Sequence, residues 1–145
     1  MRHHLILRVI TKLLVPPIIL FALYVQFHGD YSPGGGFQAG VIFAAGLILF
    51  GIVYGLRKVK QVFPPWLVHK LTALGVLVYG GTGVVSFFNG KAFLDYSALA
   101  GYPKDGQHIG IILVELGVGI TVAAVMVAVY YAFAARPPRI KDEDW

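Results

Sequence analysis

Four long apolar runs, at residues 5–27, 37–56, 66–88 and 109–134, leave this chain few ways to fold. Each is long enough to cross about 30 Å of hydrocarbon as a helix, which takes about 20 residues. In lipid every backbone N–H and C=O needs a partner inside the protein, so only helices and closed barrels can span. A barrel would show short segments of alternating hydrophobicity, and the runs have none. They predict an all-α polytopic membrane protein with four transmembrane helices, forming one membrane domain over residues 1–145. The composition points the same way. The chain is 57% hydrophobic and 13% charged, against about 45–50% and about 25% in ordinary globular proteins.

The breaks between runs are sharply marked. "HGDYSPGGG", "RKVKQVFPP" and "NGKAFLDYSALAGYPKDGQ" carry the glycines and prolines expected of turns and helix starts. Pro16 and Pro17 fall inside the first run and remove two backbone donors, which predicts a kink near residues 12–15. A helix started at Pro16 would be only about 18 Å long, too short to cross, so the longer helix is expected. The run follows basic residues as a secretory signal does. It lacks a small-residue cleavage site and reads as a retained span.

Charge placement gives an orientation. With the N-terminus inside, Arg2, Arg8, Lys12, Arg57, Lys58, Lys60, Lys70, Arg136, Arg139 and Lys141 are cytoplasmic, and only Lys91 and Lys104 are outside. This positive-inside bias places both termini in the cytoplasm. It also accounts for the net charge of +5 without any nucleic-acid partner. Trp66 and Tyr54 fall near the inner boundary, where amphipathic rings settle, and Arg8 and Lys12 can snorkel to the headgroups.

There are no cysteines, and His3, His4, His28, His69 and His108 show no ligand spacing, so neither a metal site nor a cofactor is expected. No nucleophile–base pair is present either, so the chain has no catalytic site of its own. Gly36, Gly40 and Ala44 repeat every fourth residue, as do Gly51 and Gly55. Gly110, Gly117, Gly119 and Ala123 recur in the last run, and the third run contains "GGTG" at 80–83. Such small faces let helices approach closely, either within the chain or against other subunits.

"PGGGF" at Pro33, Gly34, Gly35, Gly36 and Phe37 lacks the strand of a dinucleotide-binding turn and the Lys-Ser/Thr of a phosphate loop. It is a backbone device, either a tight turn that brings two helices together or part of an ion path. Glu115 sits about six residues inside the fourth run among Ile111, Ile112, Leu113, Val114 and Leu116. A carboxylate there costs several kcal/mol unless protonated, paired or hydrated, and such residues commonly mark proton or cation routes. The alternative is structural pairing with Thr82 or Gln38. His69 and Lys70 read as boundary anchors or as a proton entry. His108, with Lys104 and Asp105, reads as an interfacial cap on the fourth run. His28 and Asp30 could attract cations at the mouth of the first loop, and surface solvation explains them equally well.

"HGDYSPGGGFQAGVIFAAGLILFG" and "HIGIILVELGVGITVAAVMV" together resemble the B subunit of multisubunit Na+/H+ antiporters of the Mrp type, the MnhB family, across nearly the whole chain. That family has a Gly-His-x-x-Pro-Gly-Gly-Gly-Phe loop. Here Asp30 follows Gly29 in place of the histidine, so no role of that histidine carries over. The resemblance implies a small subunit of a large complex in a bacterial or archaeal cell membrane that exchanges Na+ for H+, with the other antiporter subunits and the lipid bilayer as partners. It equally implies, as the alternative home, the antiporter module of an archaeal membrane-bound hydrogenase. A purely structural helix-docking subunit is the rival reading.

Overall fold

A computed structural model describes residues 5–29 and 34–136 of the chain. Among the described residues all regular structure is helical. Four long helices, α1 (Leu5–Phe27), α2 (Gly36–Tyr54), α4 (Pro65–Phe88) and α5 (Pro103–Ala134), are each long and apolar enough to span a bilayer. A seven-residue helix α3 (Leu56–Val62) links α2 to α4, and a single 3-10 turn (Tyr96–Ala98) lies between α4 and α5. Pro33 and Asp30 of the first loop, and Arg2, Arg139 and Lys141 of the charge pattern, lie outside the described residues.

Helix limits follow local chemistry. α1 runs unbroken through Pro16 and Pro17, so the longer of the two possible first helices forms. Gly55, with φ of 94°, separates α2 from α3. The second run, read as one span over 37–56, therefore ends at Tyr54, and Leu56 opens a new helix. A left-handed turn favours glycine because a Cβ there is strained. α4 starts with Pro65 in its first turn behind an extended Pro64, the arrangement in which proline loses no useful donor.

The fourth helix begins at Pro103, not at residue 109. Hydropathy marks where lipid starts, whereas the helix continues through the polar segment before it. Its extra turns are held by the preceding loop, because the Tyr96 ring lies on Gly110 and the Tyr96 carbonyl lies on Gly106. Asp95 accepts hydrogen bonds from the Ser97 hydroxyl at 2.6 Å and the Ser97 N–H at 3.1 Å, which hold its carboxyl below the usual carboxylate range. His108, read as the cap of the fourth run, is instead an exposed residue already inside the helix.

Successive long helices alternate in direction. α1 packs on α2, α2 on α5, and α5 on α4; α1 touches α5 only lightly, and α4 is not among its main packing partners. The chain is thus a layer in the order α1–α2–α5–α4, with α2 and α5 central. Large apolar side chains on the flanks stay exposed, such as Leu13, Leu20, Leu77 and Phe88. In water such a surface would drive association; in a bilayer it is the solvated face.

The layer is held differently at one end and toward its middle. At the end carrying Arg8, Lys58 and Lys60, side chains interlock: Val59, Val68, Val127, Ala44, Ala124, Leu47 and Tyr131 form one buried cluster. The Tyr131 hydroxyl donates to the Phe63 carbonyl at 2.6 Å, tying α5 to the α3–α4 corner. Tyr54 donates to the Arg8 carbonyl at 2.7 Å, tying α2 to α1. Toward the middle of the layer α4 and α5 meet through backbone. A Cβ on Gly75 of α4 would stand 2.7 Å from the Gly117 carbonyl and overlap the Thr121 hydroxyl, and one on Gly117 would stand 2.9 Å from the Gly75 carbonyl.

The contact between α4 and α5 therefore depends on two missing side chains. Gly75→Leu should force the pair apart and destabilise the detergent-solubilised chain by about 1–3 kcal/mol, the usual range for overpacking. Gly80→Ala, which meets nothing within 4 Å, should be neutral or up to about 1 kcal/mol stabilising through helix propensity. Unfolding titrations followed by circular dichroism measure both.

Candidate functional site

Glu115 lies twelve residues into α5, about 18 Å along its axis at 1.5 Å per residue. It is half-buried, and three glycines approach it closely. A Cβ on Gly29 would stand 2.5 Å from both carboxylate oxygens, so the carboxylate occupies the space a side chain there would need. A Cβ on Gly35 would stand 3.1 Å from Oε1. Gly36 packs its Cα directly on the backbone carbonyl of Glu115, where any Cβ would overlap it. The end of α1, the loop and the start of α2 thus wrap this one acid.

Three features of the loop make that possible. Gly29 and Gly36 remove the side chains that would exclude the carboxylate or part the helices. Gly35, the N-cap of α2 at φ 126°, adopts a backbone conformation that L side chains rarely reach. Gly34 lies over the Val25 carbonyl, which closes the loop onto α1. Gly35 makes no side-chain cap, so the first N–H groups of α2 take no partner from it. A carboxylate beside a helix N-terminus interacts favourably with the positive end of its dipole.

Of the two partners considered for Glu115, Gln38 is placed beside it by the turn at Gly35. Gln38 shares the Gly35 position with it, its Oε1 standing 3.6 Å from a Cβ built there. Thr82 donates its hydroxyl to the Val78 carbonyl of its own helix at 2.8 Å and is turned to that task. Phe37 is exposed on the first turn of α2.

His69 and Lys70 are not brought to this site. Both are exposed near the start of α4. The level of Gly117 on α4 is Tyr79, nine residues beyond Lys70, or about 14 Å. The His69 ring nitrogen Nδ1 lies 2.7 Å from the Pro65 carbonyl, and Lys70 Nζ lies 5.1 Å from the centre of the Trp66 ring. Each is thus engaged with its own helix at the boundary.

The small residues Gly40, Ala44 and Gly117 are all used inside the chain. Gly40 meets the Gly119 carbonyl at a built-Cβ distance of 2.7 Å, Ala44 is fully buried, and Gly117 abuts α4. Two residues near the site escaped the sequence reading. Gly29 was passed over because a lone glycine before a polar loop looks like ordinary turn punctuation. Gln26 was passed over although its amide stands out in the apolar second half of α1; it lies against Gly119, one turn along α5 from Glu115. Among the described residues no group of three His, Cys, Asp or Glu side chains could hold a metal ion.

Comparison with known proteins matches residues 6–128 to the family model described as the domain related to the MnhB subunit of Na+/H+ antiporters. A protein of Staphylococcus haemolyticus named as an antiporter subunit, mnhB2, is 35% identical over 135 residues, covering 91% of this chain and 95% of its own length. Its namesake in Staphylococcus aureus strain Newman is 37% identical over 130 residues, covering 88% and 92%. With four membrane-spanning helices and this match over most of its length, the chain belongs to the MnhB family, the multi-pass cell-membrane subunits of multisubunit cation/proton antiporters.

Proposed function

We propose that this subunit serves a complex exchanging cytoplasmic Na+ for external H+, and that Glu115 is the group through which it takes part in ion movement. What carries the reading is the enclosure of the Glu115 carboxylate by Gly29, Gly35 and Gly36 at the start of α2. A membrane-embedded acid enclosed this closely by glycine backbone is held in a fixed position from which it can exchange a proton or meet a cation. The named relatives are antiporter subunits, which favours this home over a redox-driven hydrogenase complex.

The same proposal places both termini in the cytoplasm. Arg8, Lys12, Arg57, Lys58, Lys60, Lys70 and Arg136 lie at one end of the layer, and Lys91 and Lys104 at the other. Cytoplasmic segments carry that excess of cations. The Glu115 loop then faces outward.

Two experiments test these statements. Glu115→Gln in the assembled complex should bring Na+-dependent proton exchange in vesicles down to that of empty membranes, with the complex intact on native gels. Gly29→Ala, which displaces the carboxylate, should lower exchange in the same assay, whereas Gly101→Ala, with nothing within 4 Å, should be silent. Full exchange by an intact Glu115→Gln complex removes this acid from the mechanism. For orientation, the chain's lack of cysteine allows single-cysteine labelling in whole cells. Lys91→Cys should react with an impermeant maleimide from outside and Lys58→Cys only after permeabilisation; the reverse pattern inverts the topology.

A further inference from the structure

Because α1 and α4 flank the layer without packing on each other, a crevice of about 210 Å³ remains to which all four long helices contribute. Its wall is almost wholly apolar, and Gln26 near one end is its one polar side chain. At the other end it is bounded by Phe63 and Leu71. It is too deep and narrow for another helix. Ala22, Ala39 and Ala124, which line it, are only 2%, 4% and 1% exposed, and a helix with its side chains is about 10–12 Å across. It is nevertheless roomy for hydrocarbon, since a dry apolar cavity of about 150 Å³ accepts benzene. A single methylene chain has the right width and chemistry.

The charge at the Phe63 end identifies what such a chain would be attached to. Phe63 accepts the Tyr131 hydroxyl at 2.6 Å, and Lys60 Nζ lies 5.5 Å from the centre of the Tyr131 ring. Lys60 lies in the last turn of α3, three residues before Phe63, the residue that ends that helix. At the same end of the layer Arg8 and Lys58 converge on Tyr54, at 5.2 and 5.5 Å from its ring centre. The described carboxylates, Asp95, Asp105 and Glu115, belong to the α4–α5 loop and the outer part of α5. So the cations of this end face no acid among the described residues.

A narrow hydrocarbon slot that ends beside cations facing no acid among the described residues is complementary to one kind of molecule in a bilayer. We propose that the crevice binds one acyl chain of an anionic phospholipid, with its phosphate held at the Lys60 end. The lipid would fill the gap between α1 and α4 that the chain leaves open, joining the two flanks of the layer. Basic pockets between transmembrane helices are recognised sites for anionic headgroups, each cation near the surface adding about 1 kcal/mol.

Native mass spectrometry of the full chain in detergent tests this, with phosphatidylglycerol and phosphatidylcholine of identical acyl chains offered in equal amounts. Phosphatidylglycerol should be retained at least about fivefold better, and Lys60→Gln should reduce its retention about fivefold. Ala123→Phe, which fills the crevice from α5, should lower retention of both lipids, and Leu71→Trp does the same from α4 should the first variant lose native helix content by circular dichroism. Equal retention of the two lipids by the unaltered chain overturns the proposal. So does retention unchanged in a natively helical crevice-filling variant, or a photo-crosslinker at position 123 that captures a polypeptide in the assembled complex instead of lipid.

Discussion

Everything in this fold hangs on how closely the backbone of α5 is approached by its two neighbours. On one side Gly36 and Gly40 of α2 lie on the carbonyls of Glu115 and Gly119; on the other Gly75 of α4 meets Gly117 and Thr121. In hydrocarbon there is no hydrophobic gain from pressing apolar helices together, because lipid tails are as apolar as leucine. What remains is dispersion and polar contact, which fall away within fractions of an ångström of separation. A glycine is the residue that permits the shortest distance. The stretch of α5 from Glu115 to Thr121 is therefore clasped from both sides, and α2 and α4 are positioned by it.

That clasp also explains why the candidate site sits where it does. The carbonyl of Glu115 forms part of the α2–α5 contact, while its side chain emerges under the loop that joins α1 to α2. The acid is consequently not appended to a finished bundle. Its backbone holds the helices together, and its carboxylate takes the space left by Gly29. The opposite end works by another rule, with Val59, Val68, Val127 and Tyr131 interlocked in a side-chain core. The chain concentrates its large buried side chains where it needs anchorage and strips them away around its one membrane-embedded acid.

How far the sequence discloses this depends on the distance over which each signal acts. The four spans are local: about 20 apolar residues announce themselves whatever they pack against, and the helices indeed lie within a few residues of the runs. The six-residue difference at the start of α5 has a plain cause, since Pro103 and the Tyr96 ring act on helix formation and not on hydropathy. Small-residue spacing likewise marks close faces without naming the partner. Gly40, Ala44 and Gly117 could have met other subunits, and only their placement assigns them to α4 and α5 of this chain. Glu115 is conspicuous as a charge among apolar neighbours, but its contact with Gly29 joins positions 86 residues apart in the sequence. Nothing in the local pattern at either position encodes it.

The order α1–α2–α5–α4 has one more consequence. A closed four-helix bundle would bury each helix on two sides and leave a continuous lipid-facing exterior. An open layer leaves the flanking helices with one neighbour each, so their remaining apolar surface faces whatever surrounds the chain. For α1 that surface includes Leu5, Ile6, Leu13 and Leu20, each well over half exposed. A flank such as that of α1, built of bulky aliphatic side chains, cannot use close backbone approach. The outer contacts of α1, with lipid or with a neighbouring subunit, must be made by side-chain packing, while the short-range fit at Gly36, Gly40 and Gly75 serves the helices that hold Glu115.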